Sequence, residues 1–154
     1  LANSQSLATS FKVELLNGIH AFGTSVVRAA TTADSFKAAL YLTTASIGAG
    51  TTAYTATGEV TGTNYTAGGV DLTGAVDWIA PTSTGTTAFS TPTANIVYTN
   101  VTLATAFDCV LIYNSTQGNK AVSAHTFGSQ TITAGTLTLT MPTNDATTGL
   151  VRLA

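Results

Sequence analysis

The segment Phe107-Asp108-Cys109-Val110-Leu111-Ile112-Tyr113-Asn114 constrains the fold more than any other stretch of the chain. Cys109, Leu111 and Tyr113 alternate with Val110 and Ile112, so an extended strand here carries apolar side chains on both faces and reads as a central strand. Ser115 to Gly118 supplies turn residues, and Asn119 to Phe127 follows as a second arm, which predicts a hairpin. Downstream, Thr136, Thr138 and Thr140 alternate with Leu137, Leu139 and Met141. One side of that strand belongs to a core, and the other is a threonine ladder, exposed or at a polar interface.

Further strands are expected at Phe36 to Leu42, Ala75 to Ile79 and Leu150 to Leu153, with short extended pieces between glycines 58, 62, 68, 69 and 74. Pro81 to Ala94 holds two of the three prolines and reads as a long loop around Phe89, with room for a short edge strand. Helical periodicity occurs only at the start, where Leu7, Phe11, Leu15, Ile19 and Phe22 recur at steps of three and four. A short helix from about Thr9 to Leu16 is expected, capped by Thr9 or Ser10 and stopped at Asn17-Gly18. The chain thus divides into a helical segment or arm, 1–22, and a β domain, 23–154. The fold class is mainly β: a β-sandwich or barrel-like domain of short antiparallel strands with one short N-terminal helix.

Composition restricts what such a domain does. Charged residues are 8% of the 154, against about 25% in an ordinary soluble domain, and Thr occupies 33 positions. With a net charge of -2 there is no basic surface for a phosphate backbone or an anionic membrane, so neither nucleic acid nor membrane is an expected partner. At 44% apolar residues the chain folds, but a surface this poor in charge favours association, which predicts coverage by other subunits. No apolar run approaches the about 18 residues of a membrane span. The N-terminal LANSQSLATS lacks the basic flank and apolar centre of a signal peptide, so the protein is expected to be soluble and intracellular when made. Because it begins with Leu, the chain is expected to be less than a whole reading frame.

SFKVELLNGIHAF, FKAALY, TAYTATGEVTGTNYTAGG, VLIYNSTQGNKAV and GTLTLTMPTNDATTGLVRLA together resemble a family of small structural proteins in the virions of tailed bacteriophages. The resemblance spans nearly the whole chain and is most specific in GEVTGTNYTAGG and IYNSTQGNKAV. It implies a non-enzymatic particle component, a decoration or cement protein on the outer surface of the head. The implied partners are the major capsid protein and further copies of itself, as a homotrimer, after synthesis in the host bacterial cytoplasm. A tail or fibre component with a receptor- or carbohydrate-binding β module is the alternative.

Residues able to carry other chemistry are few. A hydrolase would recruit His20 or His125 with Asp108 and a serine, but the chain has no GxSxG elbow. Glu59, Asp71 and Asp77 supply oxygen ligands, though their spacing matches no cation loop, and Asp71 with Asp77 is a weak glycosidase pair. Cys109 is the one cysteine and reads as a small buried hydrophobe. Asn64-Tyr65-Thr66, Asn100-Val101-Thr102 and Asn114-Ser115-Thr116 match a glycosylation pattern that eight Asn among 44 Ser and Thr produce by chance. No catalytic, cofactor or metal residues are therefore expected.

Candidate docking or subunit contacts are Leu7, Phe11, Leu15, Ile19 and Phe22 on the N-terminal stripe, with Trp78 and Phe89. Tyr54, Tyr65, Trp78 and Phe89 fall in or near loops, where rings stack on sugars or fill a partner's pockets, or else pack at the ends of a sandwich. For the stripe, the alternative to a docking arm is packing over the open end of its own sandwich.

Overall fold

In the computed structural model the described residues are 2–8, 10–11, 15, 18–23, 33–72 and 76–154. The protein is mainly β, with two antiparallel sheets in a sandwich-like arrangement and no closed barrel. The larger sheet has five strands in the order β1-β7-β6-β2-β3, formed by Ser6–Leu7 (β1), Phe36–Leu42 (β2), Val70–Leu72 (β3), Ile96–Asn114 (β6) and Lys120–Leu139 (β7). The smaller sheet, β4-β5-β8, is built from Thr82–Thr84 (β4), Thr87–Ser90 (β5) and Val151–Leu153 (β8).

The apolar arm from Phe107 to Asn114 is central, as its alternation demands. β2 pairs along one side (Ala38 opposite Ile112, Leu40 opposite Val110) and β7 along the other (Ile112 opposite Ser123). Phe107 and Cys109 to Asn114 are all buried. The turn that joins the arms is fixed by Asn114, whose Oδ1 accepts from the backbone N–H groups of Thr116 and Gln117, each at 3.1 Å. This side-chain turn leaves φ positive at Gly118 and Asn119, which suits those two residue types.

The expectation of short strands fails at this hairpin. β6 and β7 run for 19 and 20 residues, and the strand expected at Thr136 to Met141 is the far end of β7. Gly128 and Gly135 fall just outside the strands expected to end at Phe127 and to begin at Thr136, but the ladder passes them through register shifts, with positive φ at Asn100 and Ala134. Bulges absorb the extra residues and twist the ribbon without ending it.

Pro81 to Ala94 is more ordered than a long loop: β4 and β5 form a hairpin about Gly85-Thr86, with Thr84 opposite Thr87. The strand expected from Ala75 to Ile79 is absent among its described residues, 76–79, which make only the bridge between Trp78 and Pro92. Asp77 explains part of this, because its Oδ1 accepts from the Trp78 N–H at 2.7 Å and turns the chain locally. Gly69 permits the close approach of β3 to β2: its φ is +79°, and a Cβ there would lie 1.8 Å from the Ala38 carbonyl oxygen.

The proposed boundary after residue 22 does not separate an arm from the domain. Ser6 and Leu7 pair with Ala124 and Ser123 as an edge strand of the larger sheet. Asn3 donates to the Leu42 carbonyl (3.0 Å) and to Asp108 (2.6 Å) and accepts from the Ile47 N–H (2.9 Å). Ser10, Phe11 and Leu15 are helical, while the rest of the expected helix from Thr9 to Leu16 lies outside the described residues. Phe11, Phe22, Phe36 and Trp78 form one ring cluster, with Phe22 against Phe11 at 5.8 Å, Phe36 at 5.1 Å and Trp78 at 4.8 Å. The apolar stripe thus packs onto its own domain, since burying these rings within one chain removes them from water without a partner.

Candidate functional site

All five tyrosines of the chain gather around one carboxylate. Glu59, a buried residue of the loop before β3, accepts from the Tyr54 hydroxyl (2.6 Å), the Tyr65 hydroxyl (2.8 Å) and the Gly68 N–H (2.7 Å). The Tyr65 oxygen in turn accepts from the Leu40 N–H at 3.0 Å. Tyr41, Tyr98 and Tyr113 donate to the carbonyls of Thr55, Ala38 and Gly68. Tyr54 stacks on Tyr113, and Tyr65 on Tyr98.

Burial, helped by the Glu59 hydrogen bond and charge, pushes the Tyr54 phenol up to about 12. Burial likewise holds Tyr41, Tyr65, Tyr98 and Tyr113 well above the usual phenol range. They therefore remain donors at any ordinary pH. In the sequence Glu59 reads only as a candidate oxygen ligand for a cation. The structure commits both its oxygens to protein donors, an arrangement that locks the loop carrying Tyr54, Glu59, Tyr65 and Gly68 onto β2 and β6.

A second buried polar cluster joins the N-terminal segment to the hairpin. Asn114 Nδ2 lies 3.1 Å from His20 Nδ1 and donates to Asp34 Oδ2 at 2.8 Å, and Gln117 Nε2 donates to Asp34 Oδ1 at 3.1 Å. Asp34 and Asn114 were not legible as partners of His20, because they are 14 and 94 residues away in sequence.

The structure does bring His125 and Ser123 together, with Nε2 and Oγ 2.9 Å apart. Burial lowers the imidazole to about 4, and Ser123 is 2% exposed. Among the described residues no carboxylate bonds to His125; Asp108, the expected acid, accepts from Asn3 instead. Cys109 is buried, with its thiol pushed up to about 12 by burial and by the nearby Asp108, which favours the unreactive thiol.

Glu59, Asp71 and Asp77 do not converge. Asp71 pairs with Lys37 at 3.3 Å on the surface and Asp77 caps Trp78, and the described residues contain no group of three or more potential metal ligands.

The seven docking candidates divide by burial. Phe11, Phe22, Trp78 and Phe89 are buried in this chain and unavailable as free contacts, whereas Leu7, Leu15 and Ile19 are half-buried. Phe11, Leu15, Phe22 and Phe89 wall a cavity of about 450 Å³ between the N-terminal segment and the smaller sheet.

The outer face of the β6–β7 ribbon is an open surface. Val97 and Thr138 stand directly opposite one another, and Thr99 and Thr136 lie beside them; all four are exposed. Thr131 and Thr133, exposed on either side of Ile132, continue the face toward the bulges. These residues carry hydroxyls and methyl groups and no charge. Sequence alternation located this ladder but not its continuity with β6, which depends on register.

No known protein family, curated protein or solved structure matches the chain. Among the described residues no helix is long and apolar enough to cross a membrane.

Proposed function

We propose that this chain is a non-enzymatic structural protein of a tailed-phage virion, a decoration or cement protein that reinforces the head by covering junctions between major capsid subunits. The observation that carries the reading is the uncharged threonine face on a long, internally braced ribbon. Such a face offers hydroxyl hydrogen bonds and methyl contacts to a partner without the desolvation cost of ions. The buried Glu59 and Asp34 clusters fit the same role, since both brace loops against the sheet. Several weak contacts across neighbouring capsid subunits add up through multivalency, so a modest affinity per site suffices. In this reading the protein acts on the outer surface of the particle, uses no cofactor, and contacts neither nucleic acid nor membrane.

Quantifying its copies in purified particles tests the proposal. Hundreds per particle support a place on the head, while a dozen or fewer contradict it. Retention on the shell through moderate NaCl is the companion expectation, because few ion pairs are available to be screened. Release by salt alone would overturn the neutral-face argument.

One feature favours the tail or fibre reading. A hollow of about 800 Å³ beside the Gly48–Gly50 loop is lined by Ser4, Ser46, Thr51, Thr52 and Thr55 with the half-buried Tyr54 ring. Hydroxyls around an aromatic face suit a neutral saccharide. Low copy number together with glycan binding lost in Tyr54→Ala would favour this reading over the first.

A further inference from the structure

We infer that the end of β7 is a self-association edge, at which Thr136 to Thr140 pairs antiparallel with the same residues of a second copy of this chain. The inference needs no assumption about the virion; it rests on an unguarded sheet edge and on the pattern along it.

β1 and the following Ala8 cover the outer edge of β7 from Val122 to Ala124. From His125 to Leu139 the only strand neighbour among the described residues is β6, which leaves the far edge of β7 without a strand partner among them. Free edges are usually guarded by charges, prolines or bulges. No Lys, Arg, Asp, Glu or Pro occurs between His125 and Thr140. Register shifts do guard the part up to Thr136, the last of them falling between Gly135 and Leu137. Beyond them the ladder is regular, with Leu137 opposite Tyr98, Thr138 opposite Val97 and Leu139 opposite Ile96. From Leu137 to Thr140 the edge has no charge, proline or register shift, and no other strand pairs with it among the described residues.

Its pattern fits itself. Thr136-Leu137-Thr138-Leu139-Thr140 reads the same in both directions. A two-fold axis through Thr138 places Thr136 opposite Thr140 of the second copy and Leu137 opposite its Leu139, so the hydroxyl and apolar faces stay in register across the junction. Thr136, Thr138 and Thr140 are exposed on the outer face, and cross-strand threonine pairs stabilise such a ladder. On the inner face Leu139 and Met141 are only half-buried and border an apolar groove of about 320 Å³ with Phe127, Leu137 and Leu150. The second copy's leucines would extend the cover over that groove. With no charge on either edge, bringing two identical surfaces together meets no like-charge repulsion, which is the usual obstacle to an isologous contact.

Charge substitution at the axis tests the inference. Thr138→Lys and Thr138→Glu each place like charges face to face in a homodimer, while an equimolar mixture of the two variants pairs opposite charges. Sedimentation of the parent chain in the micromolar to submillimolar range should show a reversible dimer. Each variant, with parental circular dichroism, should dissociate at least tenfold more readily, and mixing should restore the dimer. Oxidation of Thr138→Cys should give a disulfide-linked dimer on a non-reducing gel, whereas Thr131→Cys should not; this second readout does not depend on how well a charge is tolerated. A monomeric parent, variants that associate as the parent does, or charge variants that dissociate without rescue on mixing would each overturn the proposed pairing.

Discussion

Glu59 Oε1 and the Tyr65 hydroxyl meet at 2.8 Å, and the same phenol oxygen accepts the Leu40 N–H, so one carboxylate ties the loop before β3 to the backbone of β2. Glu59 thus serves three donors at once, the Tyr54 and Tyr65 hydroxyls and the Gly68 N–H. Glu59→Gln replaces an acceptor oxygen with an amino donor facing a phenol or the Gly68 N–H. A cost of about 1–3 kcal/mol is expected from the donor left unsatisfied, and Glu59→Ala should cost more, because it strands all three. Denaturant melting checks this, and parental stability in Glu59→Ala would show that water replaces the carboxylate without loss.

The tyrosine cluster predicts cooperative alkaline unfolding. A phenol held above its ordinary value of 10.0 keeps its proton in the folded state and releases it on unfolding. Above pH 10 the unfolded chain therefore binds fewer protons, and stability falls as pH rises. Tyrosinate absorbance should appear together with loss of β circular dichroism. Phenols that ionise near pH 10 in a still folded protein would contradict the buried cluster.

His125 gives the opposite slope in acid. Its folded value of about 4 lies below the ordinary 6.5, so unfolding takes up a proton in that interval. The contribution of the neutral imidazole is complete above pH 6.5 and is lost as pH falls toward 4, amounting to at most about 3 kcal/mol. Comparing melts of the parent and His125→Gln between pH 4 and 7 isolates it. The variant should have the shallower dependence, and identical slopes would remove His125 from the account.

Removing residues 2–22 should abolish or severely broaden the cooperative melt. The deletion takes away β1, the Asn3 bonds to Leu42, Ile47 and Asp108, and two rings of the Phe11-Phe22-Phe36-Trp78 cluster. A truncated protein that melts cooperatively within a few degrees of the parent would restore the arm reading.

What the sequence made legible was whatever depends on local alternation. The buried arm at Phe107 to Asn114 and the threonine ladder at Thr136 and Thr138 follow from side chains pointing to opposite faces with period two. Register was not legible. Gly128 and Gly135 have the composition of strand ends, and only pairing with β6 shows that they lie within a continuous bulged ribbon. The polar clusters were hidden for a similar reason: Glu59, Tyr98 and Tyr113 lie up to 54 residues apart, and nothing in their spacing foretells that they meet. For Phe11 and Phe22, one periodic stripe served equally for an arm or for self-packing, and the choice rested on long-range contacts with Phe36 and Trp78.

Ile112→Ala is the sharpest test of the sheet itself. Ile112 is 1% exposed, with Ala38 of β2 on one side and Ser123 of β7 on the other, so the substitution removes three carbons from the middle of the five-stranded sheet. Neighbours held in strands on both sides have little freedom to collapse into the space. A cost of about 2–5 kcal/mol is expected from lost transfer energy and the residual cavity. Thr133→Ala serves as the surface control: it is exposed and outside the proposed self-pairing stretch, and should change stability by less than about 1 kcal/mol. Denaturant melts of both variants at one protein concentration beside the parent decide the matter. Equal small effects would displace β6 from the centre of the sheet, whereas a large effect at Thr133 alone would mean that the threonine face is covered by another subunit in solution.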